Sequence, residues 1–277
     1  YSILLLLALS TFIVTPTQAT DFFAFQEKNC KYETAWGMLH GDFSQEYPNG
    51  EKMVEGKFNH NQRVGTWNFY NINGRLLEKR LYFNNYEYAV MDKEGKTWKQ
   101  FDANGEWTSI KSSNVKYKQR VWKKVDNKSD GYLNIDNLVK AINKDKIGVF
   151  FTDDRFTTEM DKPQLKDITS IKVKEDYIYD NEQEAMFVRP IGIGFENKHG
   201  ETIAWIYFPD WKETLRNTKT TWRNDHLNLR NLYDVFAQRV YNAVPYRLGR
   251  EKITDKSMAE LELEMIHMEN MFIIAKA

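Results

Sequence analysis

The stretch from Ser170 to Phe208 constrains the fold of this chain more than any other segment. From Ile171 to Tyr179, mostly apolar side chains occupy every second position, and mostly charged ones occupy the positions between them. This period of two residues predicts a half-buried β-strand. Two more apolar runs bounded by turn residues follow, at Met186 to Ile193 and at Thr202 to Phe208. We therefore expect an antiparallel meander of three strands.

Several short motifs in and after this stretch share the order and spacing of one known family. They are Val173-Lys-Glu-Asp-Tyr-Ile-Tyr-Asp180, Arg189-Pro-Ile-Gly-Ile193, Ala204-Trp-Ile-Tyr-Phe-Pro209 and Leu232-Tyr-Asp-Val-Phe236 with Arg239. Together they resemble the gliding-motility family GldN, also called PorN. The resemblance runs from about Tyr117 to about Arg247.

The resemblance implies a non-enzymatic, periplasmic component of the type IX secretion and gliding machinery. Such a component assembles with a GldK-type lipoprotein into rings beneath the outer membrane, as a homo- or hetero-oligomer. Two departures from the family bear on ring geometry. The repeats described below are not a usual part of it, and Val240 to Arg247 replaces a longer acidic stretch. A specialised relative that docks on the machinery is therefore the alternative.

The first residues predict export. Ile3 to Val14 is almost wholly apolar, and the small-residue site Thr17-Gln18-Ala19 follows it. This pattern predicts a signal peptide over residues 1–19. A membrane anchor is the alternative, but the apolar run is shorter than the roughly 20 residues that cross a bilayer.

Residues 20–110 contain internal repeats. Trp67-Asn-Phe-Tyr70-Asn-Ile-Asn-Gly74 and Trp98-Lys-Gln-Phe101-Asp-Ala-Asn-Gly105 share the spacing of a Trp, a second aromatic residue and a Gly, and Tyr47-Pro-Asn-Gly50 extends the series. Each repeat predicts a hairpin with an Asn-Gly turn, so we expect an all-β meander. The motifs resemble MORN repeats and their antitoxin-like variants.

The aromatic residues of these repeats have two interpretations. Trp67 and Trp98 either form the core of a thin sheet, where aromatic rings supply most of the buried area, or line an exposed groove. A groove would make the chain an exported accessory binding protein whose repeats hold a glycan or a surface protein. The sequence leaves both interpretations open.

Residues 111–277 are expected to add helices to the meander, after a polar boundary at Ile110 to Asn114. Apolar spacing predicts three helices. Their apolar faces are Tyr117, Val121, Trp122 and Val125; Ile135, Leu138, Val139 and Ile142; and Leu229, Leu232, Tyr233, Phe236, Val240 and Val244. The third is expected to begin at Asn224-Asp225 and to end at Pro245.

The last helix is predicted to begin at a capping box, Ser257-Met-Ala-Glu260. Five apolar residues then recur at intervals of three and four: Met258, Leu261, Met265, Met268 and Phe272. This seam covers only about two heptads, so it needs a surface to pack against. We predict that it binds a partner, and the alternative is that it packs on its own domain.

Patterns for catalysis, metals and cofactors are missing from the sequence. The five His residues are scattered, and Lys128 and Asn137 occupy two ligand positions in the one loop that resembles a calcium site. Glu175 and Asp176 could serve a hydrolase, but neighbours on a strand point to opposite faces, so ion pairs with Lys172, Lys174 or Arg189 are expected. We predict no enzyme activity, no cofactor and no metal.

Charge and cysteine content limit the classes of possible partner and the possible disulfide bonds. Lys and Arg balance Asp and Glu at 39 each, so no long-range field favours nucleic acid. Cys30 is the only cysteine, which excludes an intramolecular disulfide and leaves an inert thiol or an intermolecular bridge. The expected fold class is α+β: an amino-terminal all-β meander, then an antiparallel sheet covered by helices.

Overall fold

The computed structural model describes residues 25–85, 87–91, 97–102, 110–126, 132–145, 148–224 and 229–276, with backbone alone for 97–102 and 221–224. The predicted signal peptide at 1–19 lies outside the described residues. So do the third repeat's turn at Asn104-Gly105 and the helix start at Asp225.

The amino-terminal repeats form one antiparallel sheet of seven described strands in chain order. The strands are β1 Cys30–Ala35, β2 Met38–Glu46, β3 Lys52–Asn59, β4 Gln62–Tyr70, β5 Leu76–Tyr82, β6 Glu87–Met91 and β7 Thr97–Asp102. We call it the first sheet. The predicted all-β meander is confirmed.

Two repeats end in the same turn. Gly50 and Gly74 have φ of +86° and +75°, a conformation that residues with a Cβ rarely adopt. In both turns, the residue three positions before the glycine donates its N–H to the carbonyl of the residue that follows the glycine. Tyr47 donates to Glu51 in this way, and Asn71 donates to Arg75. The predicted Asn-Gly hairpins are therefore confirmed at these two positions.

The core of the first sheet is aromatic. Trp67 is fully buried and its ring packs against those of Phe43, Phe58 and Tyr82. Gly56 leaves the space for it, because a Cβ there would lie 2.2 Å from Trp67 Cδ2. Trp67 is therefore a core residue, while the MORN resemblance of the repeats stays a prediction. The side chain of Trp98 is among those not described.

The carboxy-terminal half forms a second antiparallel sheet of eight described strands. They are β8 Val115–Asp126, β9 Phe150–Phe151, β10 Glu159–Met160, β11 Ile168–Asp180, β12 Ala185–Asn197, β13 Thr202–Tyr207, β16 Val244–Leu248 and β17 Glu251–Lys252. Their order across the sheet is β10-β9-β13-β12-β11-β8-β16-β17. The predicted meander is confirmed as β11, β12 and β13.

The described α-helices are α1 Ile135–Lys144, α2 Lys212–Arg216, α3 Leu232–Gln238 and α4 Met258–Lys276. A short two-stranded sheet, β14 Lys219–Asn224 with β15 Leu229–Asn231, precedes α3. The predicted helix through Ile135 is confirmed as α1, whose N-cap is Asn134. The α+β class is confirmed as well.

The predicted helix through Tyr117 and Val125 is wrong, because these residues lie in β8. Strand β8 pairs with β11 on one side and with β16 on the other. Its two faces are both apolar in part: Val121 and Val125 point to one side, and Trp122 points to the other. Because apolar residues lie on both faces of this strand, their spacing in the sequence matched that of the apolar face of a helix.

The predicted half-buried character of β11 is also wrong. Lys174 and Asp176, on the face expected to be solvated, are as buried as Val173 on the apolar face. Asp176 is paired with Arg120 and Lys118, and Lys174 contacts Asp154. Ion pairing allows charged side chains to be buried on this second face.

The predicted long helix from Leu229 to Val244 divides into three elements. Leu229 lies in β15, α3 ends at Gln238, and Val244 begins strand β16. Arg239 follows α3 in the left-handed region with φ of +57°, which turns the chain back towards the sheet. The residues predicted to form one apolar helix face therefore belong to separate elements.

Candidate functional site

Helix α4 carries the residues predicted to bind a partner, and it begins at the predicted capping box. The Ser257 N–H donates to the Glu260 carboxylate, and the Glu260 N–H donates to Ser257 Oγ at 3.1 Å. These reciprocal bonds satisfy two N–H groups that have no partner inside the helix. The chain therefore enters α4 at a defined point.

The predicted seam of α4 faces the second sheet. Met258, Leu261 and Met265 are at most 3% exposed, and Met268 and Phe272 are half-buried. The ring of Phe272 stacks on Tyr179, with ring centres 4.5 Å apart. The seam thus packs on its own chain, which is the alternative that the sequence left open, and binding of a partner stays a prediction.

The other side of α4 completes the core of the first sheet. Its residues there are Ala259, Leu263, Ile266, Met271, Ile273 and Ile274. They pack with residues of the first sheet such as Trp67 and Phe69. Helix α4 thus has apolar residues that pack on each of the two sheets, and it lies between them.

Four charged side chains meet where α4 crosses the second sheet: Lys123, Glu175, Arg239 and Glu262. We call them the buried charge cluster, since their side chains are at most 5% exposed. Lys123 Nζ lies 2.6 Å from Glu175 Oε2 and 3.5 Å from Glu262 Oε1. Arg239 donates to Glu262 Oε2 at 2.7 Å. Two cations thus face two carboxylates, and the cluster is neutral.

Two tyrosine hydroxyls complete the cluster. Tyr177 donates to Glu262 at 2.5 Å and accepts from Lys123 at 2.7 Å, and Tyr241 donates to Glu175. Burial raises the pKa of both hydroxyls well above the usual value, so they remain donors. Burial also raises the pKa of Glu262, but Arg239 and Lys123 lower it further, and the net shift is downward. Glu262 is therefore held as a carboxylate.

A second polar cluster joins α4 to the first sheet through Arg63. Its guanidinium lies 2.7 Å from Glu269 Oε2 and donates to Asn270 Oδ1 and Tyr82 Oη, each at 3.1 Å. The other Glu269 oxygen, Oε1, accepts the backbone N–H of Met186 at 2.9 Å. Glu269 therefore bonds to both sheets at once.

The turn between β11 and β12 also contacts the first sheet. Arg80 donates to the carbonyl of Glu184 at 2.9 Å, and Tyr88 Oη donates to the carbonyl of Gln183 at 2.7 Å. Arg80 and Tyr88 are almost fully buried in doing so. Backbone carbonyls of the second sheet are thus bound by side chains of the first.

The two clusters hold elements together, and their residues are occupied by one another. Among the described residues, no three His, Cys, Asp or Glu side chains come close enough together to hold a metal ion. Glu175 and Asp176 lie on opposite faces of β11, as expected, but their partners are Lys123 for Glu175 and Arg120 with Lys118 for Asp176. Of the expected partners, Arg189 lies opposite Asp176 in the pairing of β12 with β11, and the two opposite charges attract each other. Lys172 instead pairs with Glu196, and Lys174 with Asp154.

The sequence reasoning missed the polar side of α4. Glu262 and Glu269 lie at positions that flank the heptad seam, where charged residues usually reach solvent, yet both are buried. The signal was in the neighbouring positions, because Leu263, Ile266 and Ile273 are apolar and lie off the seam. An apolar residue on every side of a helix predicts complete burial.

Two further observations concern membrane crossing and the reactivity of Cys30. In the described part of the chain, no helix is both long enough and apolar enough to cross a membrane. Cys30, at the start of β1, is half-buried, and burial together with Glu27 raises the pKa of its thiol to about 12. Since the thiolate is the nucleophile, this thiol is unreactive near neutral pH.

The family model described as "Gliding motility associated protein GldN" matches residues 162–273. The match spans β11, β12, β13 and α3, and it reaches into α4. It includes Glu175, Arg239 and Glu262 of the buried charge cluster, while Lys123 lies before it. The resemblance predicted between about Tyr117 and Arg247 is confirmed, with bounds shifted towards the carboxy terminus. No curated protein matches the chain.

Proposed function

We propose that this chain is a periplasmic, non-catalytic part of the gliding-motility and type IX secretion machinery, because residues 162–273 match the model of the GldN family. In this proposal it associates with a GldK-type lipoprotein at the inner face of the outer membrane and assembles into rings. A relative that docks on such a ring without building it is the alternative form of the same proposal.

The observation that carries the proposal is the extent of the family match. It covers most of the helix that lies between the two sheets, together with two carboxylates of the buried charge cluster. The polar groups of this region are occupied by the chain's own residues, which suits a rigid structural component. The non-catalytic part of the proposal rests on this arrangement and on the family.

The seam of α4 supplies the proposed contact with the partner. Leu261 is buried in the chain, but Met268 and Phe272 are only half-buried at the same surface. Methionine is flexible and polarizable, so its side chain adapts to different partner surfaces. We therefore place the proposed lipoprotein contact at Met268 and Phe272.

Affinity purification from a bacterium that glides and secretes through this machinery tests the proposal. We expect a tagged full chain to appear in the periplasmic fraction and to co-purify with a GldK-type lipoprotein. Mild crosslinking before lysis should give a ladder of higher oligomers.

The test variant is Met268→Glu, which changes the proposed contact at a half-buried position. Loss of the lipoprotein with retention of the folded chain would support the contact. Recovery of the tagged chain from the cytoplasm, or without any component of the machinery, would contradict the proposed function itself.

A further inference from the structure

The second sheet has one face covered by helices and one face without them in the described residues. Core residues from α1, α2, α3 and α4 pack with Val173, Tyr177 and their neighbours on one face. The opposite face carries an aromatic cluster whose buried members are Trp122, Phe151 and Trp205. We call this second side the open face.

Three carboxylates of the open face are each bound by two cations. Asp176 is bound by Lys118 and Arg120, Glu196 by Lys124 and Lys172, and Asp154 by Lys174 and Arg247. Six cations therefore meet three carboxylates. Since the whole chain has no net charge, the excess is a local property of these side chains.

At two of these carboxylates, Asp176 and Glu196, the cations of β8 lie nearer to solvent than the carboxylate. The side chains of Asp176 and Glu196 are only 3% and 5% exposed. Those of Lys118, Arg120 and Lys124 are 50%, 38% and 40% exposed. Asp176 and Glu196 thus lie beneath Lys118, Arg120 and Lys124, so a molecule that approaches these three side chains meets positive charge.

The ion pairs also fix the charge state of Asp176 and Glu196. Burial raises the pKa of Glu196, but hydrogen bonds from Lys124, Lys172 and Ser170 lower it further, to about 2. Burial likewise raises the pKa of Asp176, and hydrogen bonds from Arg120 and Lys118 hold it below its usual value. These two carboxylates therefore remain charged throughout the physiological pH range.

A loop anchors the middle of the open face without covering its cationic edge. Asp154 accepts hydrogen bonds from Trp122 Nε1 at 2.6 Å and from Arg247 at 2.7 Å. The ring of Phe156 packs 5.2 Å from that of Tyr207 and lies over Gly192. The guanidinium of Arg247 lies 3.3 Å from the centre of the Trp122 ring. These contacts hold the aromatic side chains at the centre of the open face in defined positions beside the cations.

The exposed cations stand in a row along β8. Lys118, Arg120 and Lys124 are separated by even numbers of residues, and they share one side of the strand with Trp122. Alternate residues of a strand lie about 6.6 to 7 Å apart. An extended peptide with acidic residues at alternate positions repeats at the same interval, so its carboxylates would come into register with this row.

We propose that the open face binds an extended acidic polypeptide segment along the row Lys118, Arg120 and Lys124. The chain's own Asp176 and Glu196 already show that these side chains bind carboxylates in this geometry. Each Lys has three N–H donors and each Arg has five, so donors remain for an incoming carboxylate. The open face is an interaction surface distinct from the seam of α4, and it binds such a segment whichever machinery the partner belongs to.

A peptide suits this face better than an anionic membrane. Adsorption to a membrane depends on a field that extends over a Debye length, about 8 Å at physiological salt. A chain with no net charge has little such field, whereas the three cations above Asp176 and Glu196 act at contact distance. The regular spacing of the cations along one strand can match the spacing of carboxylates on an extended peptide. A fluid lipid surface has no fixed spacing of charges to match it.

The test measures binding of the full chain to a labelled peptide of alternating glutamate and threonine, equal in length to β8. Fluorescence anisotropy should show binding that weakens as salt rises. A peptide with the same composition, but with all glutamates in one block, should bind at least severalfold more weakly, because its carboxylates lose register with the row.

The decisive variant is Lys118→Gln with Lys124→Gln. Asp176 keeps Arg120 and Glu196 keeps Lys172, so neither carboxylate loses its last cation and the fold should persist. We expect the dissociation constant for the alternating peptide to rise about tenfold, as for the loss of two partly exposed ion pairs. Lys118→Gln alone should give a smaller rise in the same direction.

The matched control is Lys31→Gln with Lys57→Gln, which removes the same charge from the first sheet. These side chains are 78% and 61% exposed and pair with Glu46 and Asp42. Unchanged peptide binding in the control supports the open face. Equal weakening in both double variants, equal binding of the two peptides, or binding only to phosphatidylglycerol vesicles would overturn the proposal.

Discussion

At the scale of single residues, Gly56 and Trp67 show how a repeat produces a core. Gly56 on β3 has no Cβ, and the indole of Trp67 on β4 occupies the space that a Cβ would take. The Trp67 Nε1–H donates to the carbonyl of Lys57 at 3.3 Å, so the buried indole keeps a polar partner. Arg63 lies over the ring, with Cζ 4.9 Å from its centre. Each of these contacts depends on the indole.

Replacement of Trp67 by Ala should lower the free energy of unfolding by about 3–5 kcal/mol, because it removes a fully buried ring from a thin core. Urea unfolding followed by circular dichroism measures the change. The matched control is Trp36→Ala, since Trp36 is 59% exposed and should cost less than about 1 kcal/mol. Similar losses in the two variants would contradict a core role that is particular to Trp67.

Glu262 is the second residue whose removal has a sharp expected outcome. Glu262→Gln leaves Lys123 and Arg239 buried with only Glu175 between them, and breaking a buried pair costs about 3–5 kcal/mol. The control Glu264→Gln removes a carboxylate two positions away that pairs with Lys256 at the surface. That change should cost at most about 1 kcal/mol. Equal melting temperatures for Glu262→Gln and the parent chain would show that the buried charge cluster does not stabilise the fold.

At the scale of elements, α4 has an apolar seam on one side and buried polar residues on another. The seam predicted from Met258, Leu261, Met265, Met268 and Phe272 packs on β8, β11 and β12 through residues such as Val121, Tyr179 and Val188. Burial decreases along the seam, because Leu261 is fully buried whereas Met268 and Phe272 are half-buried. Substitutions at the two ends should therefore have different effects.

Leu261→Glu should unfold the chain or lower its melting temperature strongly, because an unpaired charge in an apolar contact costs several kcal/mol. Met268→Glu should leave the melting temperature within a few degrees of the parent, since its side chain reaches solvent. Differential scanning calorimetry separates the two. If Leu261→Glu melts like the parent chain, α4 does not pack in the way the structure describes.

The sequence predicted elements well where one pattern matched one environment. The three strands of the meander and helix α1 have regular periods and clear caps, and they were found. Prediction failed where both faces of an element are buried, as in β8, because Trp122 between Val121 and Val125 mimics a helical face. It also failed between Leu229 and Val244, where three short elements place apolar residues at helical spacing. Periodicity reports burial on one side, and these segments are buried on two.

The candidate site was predicted only in part for a related reason. The seam residues are local in sequence and could be identified from their spacing. The buried charge cluster brings together Lys123, Glu175, Arg239 and Glu262 from four separate elements, and no spacing connects them. Only the register of β8 on β11 and the left-handed turn at Arg239 place them together.

At the scale of the whole molecule, acid should destabilise the chain. The folded-state pKa of Glu196 is about 2, below the ordinary value of 4.5, so this carboxylate stabilises the fold fully above pH 4.5. Its contribution is lost as the pH falls towards 2, and the lowered pKa values of Asp176 and Glu262 act in the same direction.

Urea unfolding at pH 5, 4 and 3 should therefore show a falling midpoint, and Glu196→Gln should make the fall shallower. The variant Glu201→Gln, at the exposed end of the β12–β13 turn, is the control and should follow the parent. A midpoint that stays constant down to pH 3 would mean that these carboxylates carry no native-state stabilisation.

The two sheets should unfold as one cooperative unit, because α4 belongs to the cores of both. Leu263 packs with Trp67 and Phe69 in the first sheet, while Leu261 on the same turn packs with Tyr177 in the second. Leu263→Ala truncates a side chain in the core that contains Trp67 and Phe69, at a cost of about 2–5 kcal/mol. If the sheets are coupled through α4, hydrogen exchange should accelerate by a similar factor in the β3–β4 and β11–β12 amides that exchange by global unfolding. Independent sheets would instead show faster exchange in β3 and β4 and unchanged exchange in β11 and β12. Calorimetry gives a second measure, since a coupled molecule has equal calorimetric and van't Hoff enthalpies of unfolding, and two separate transitions would contradict the coupling.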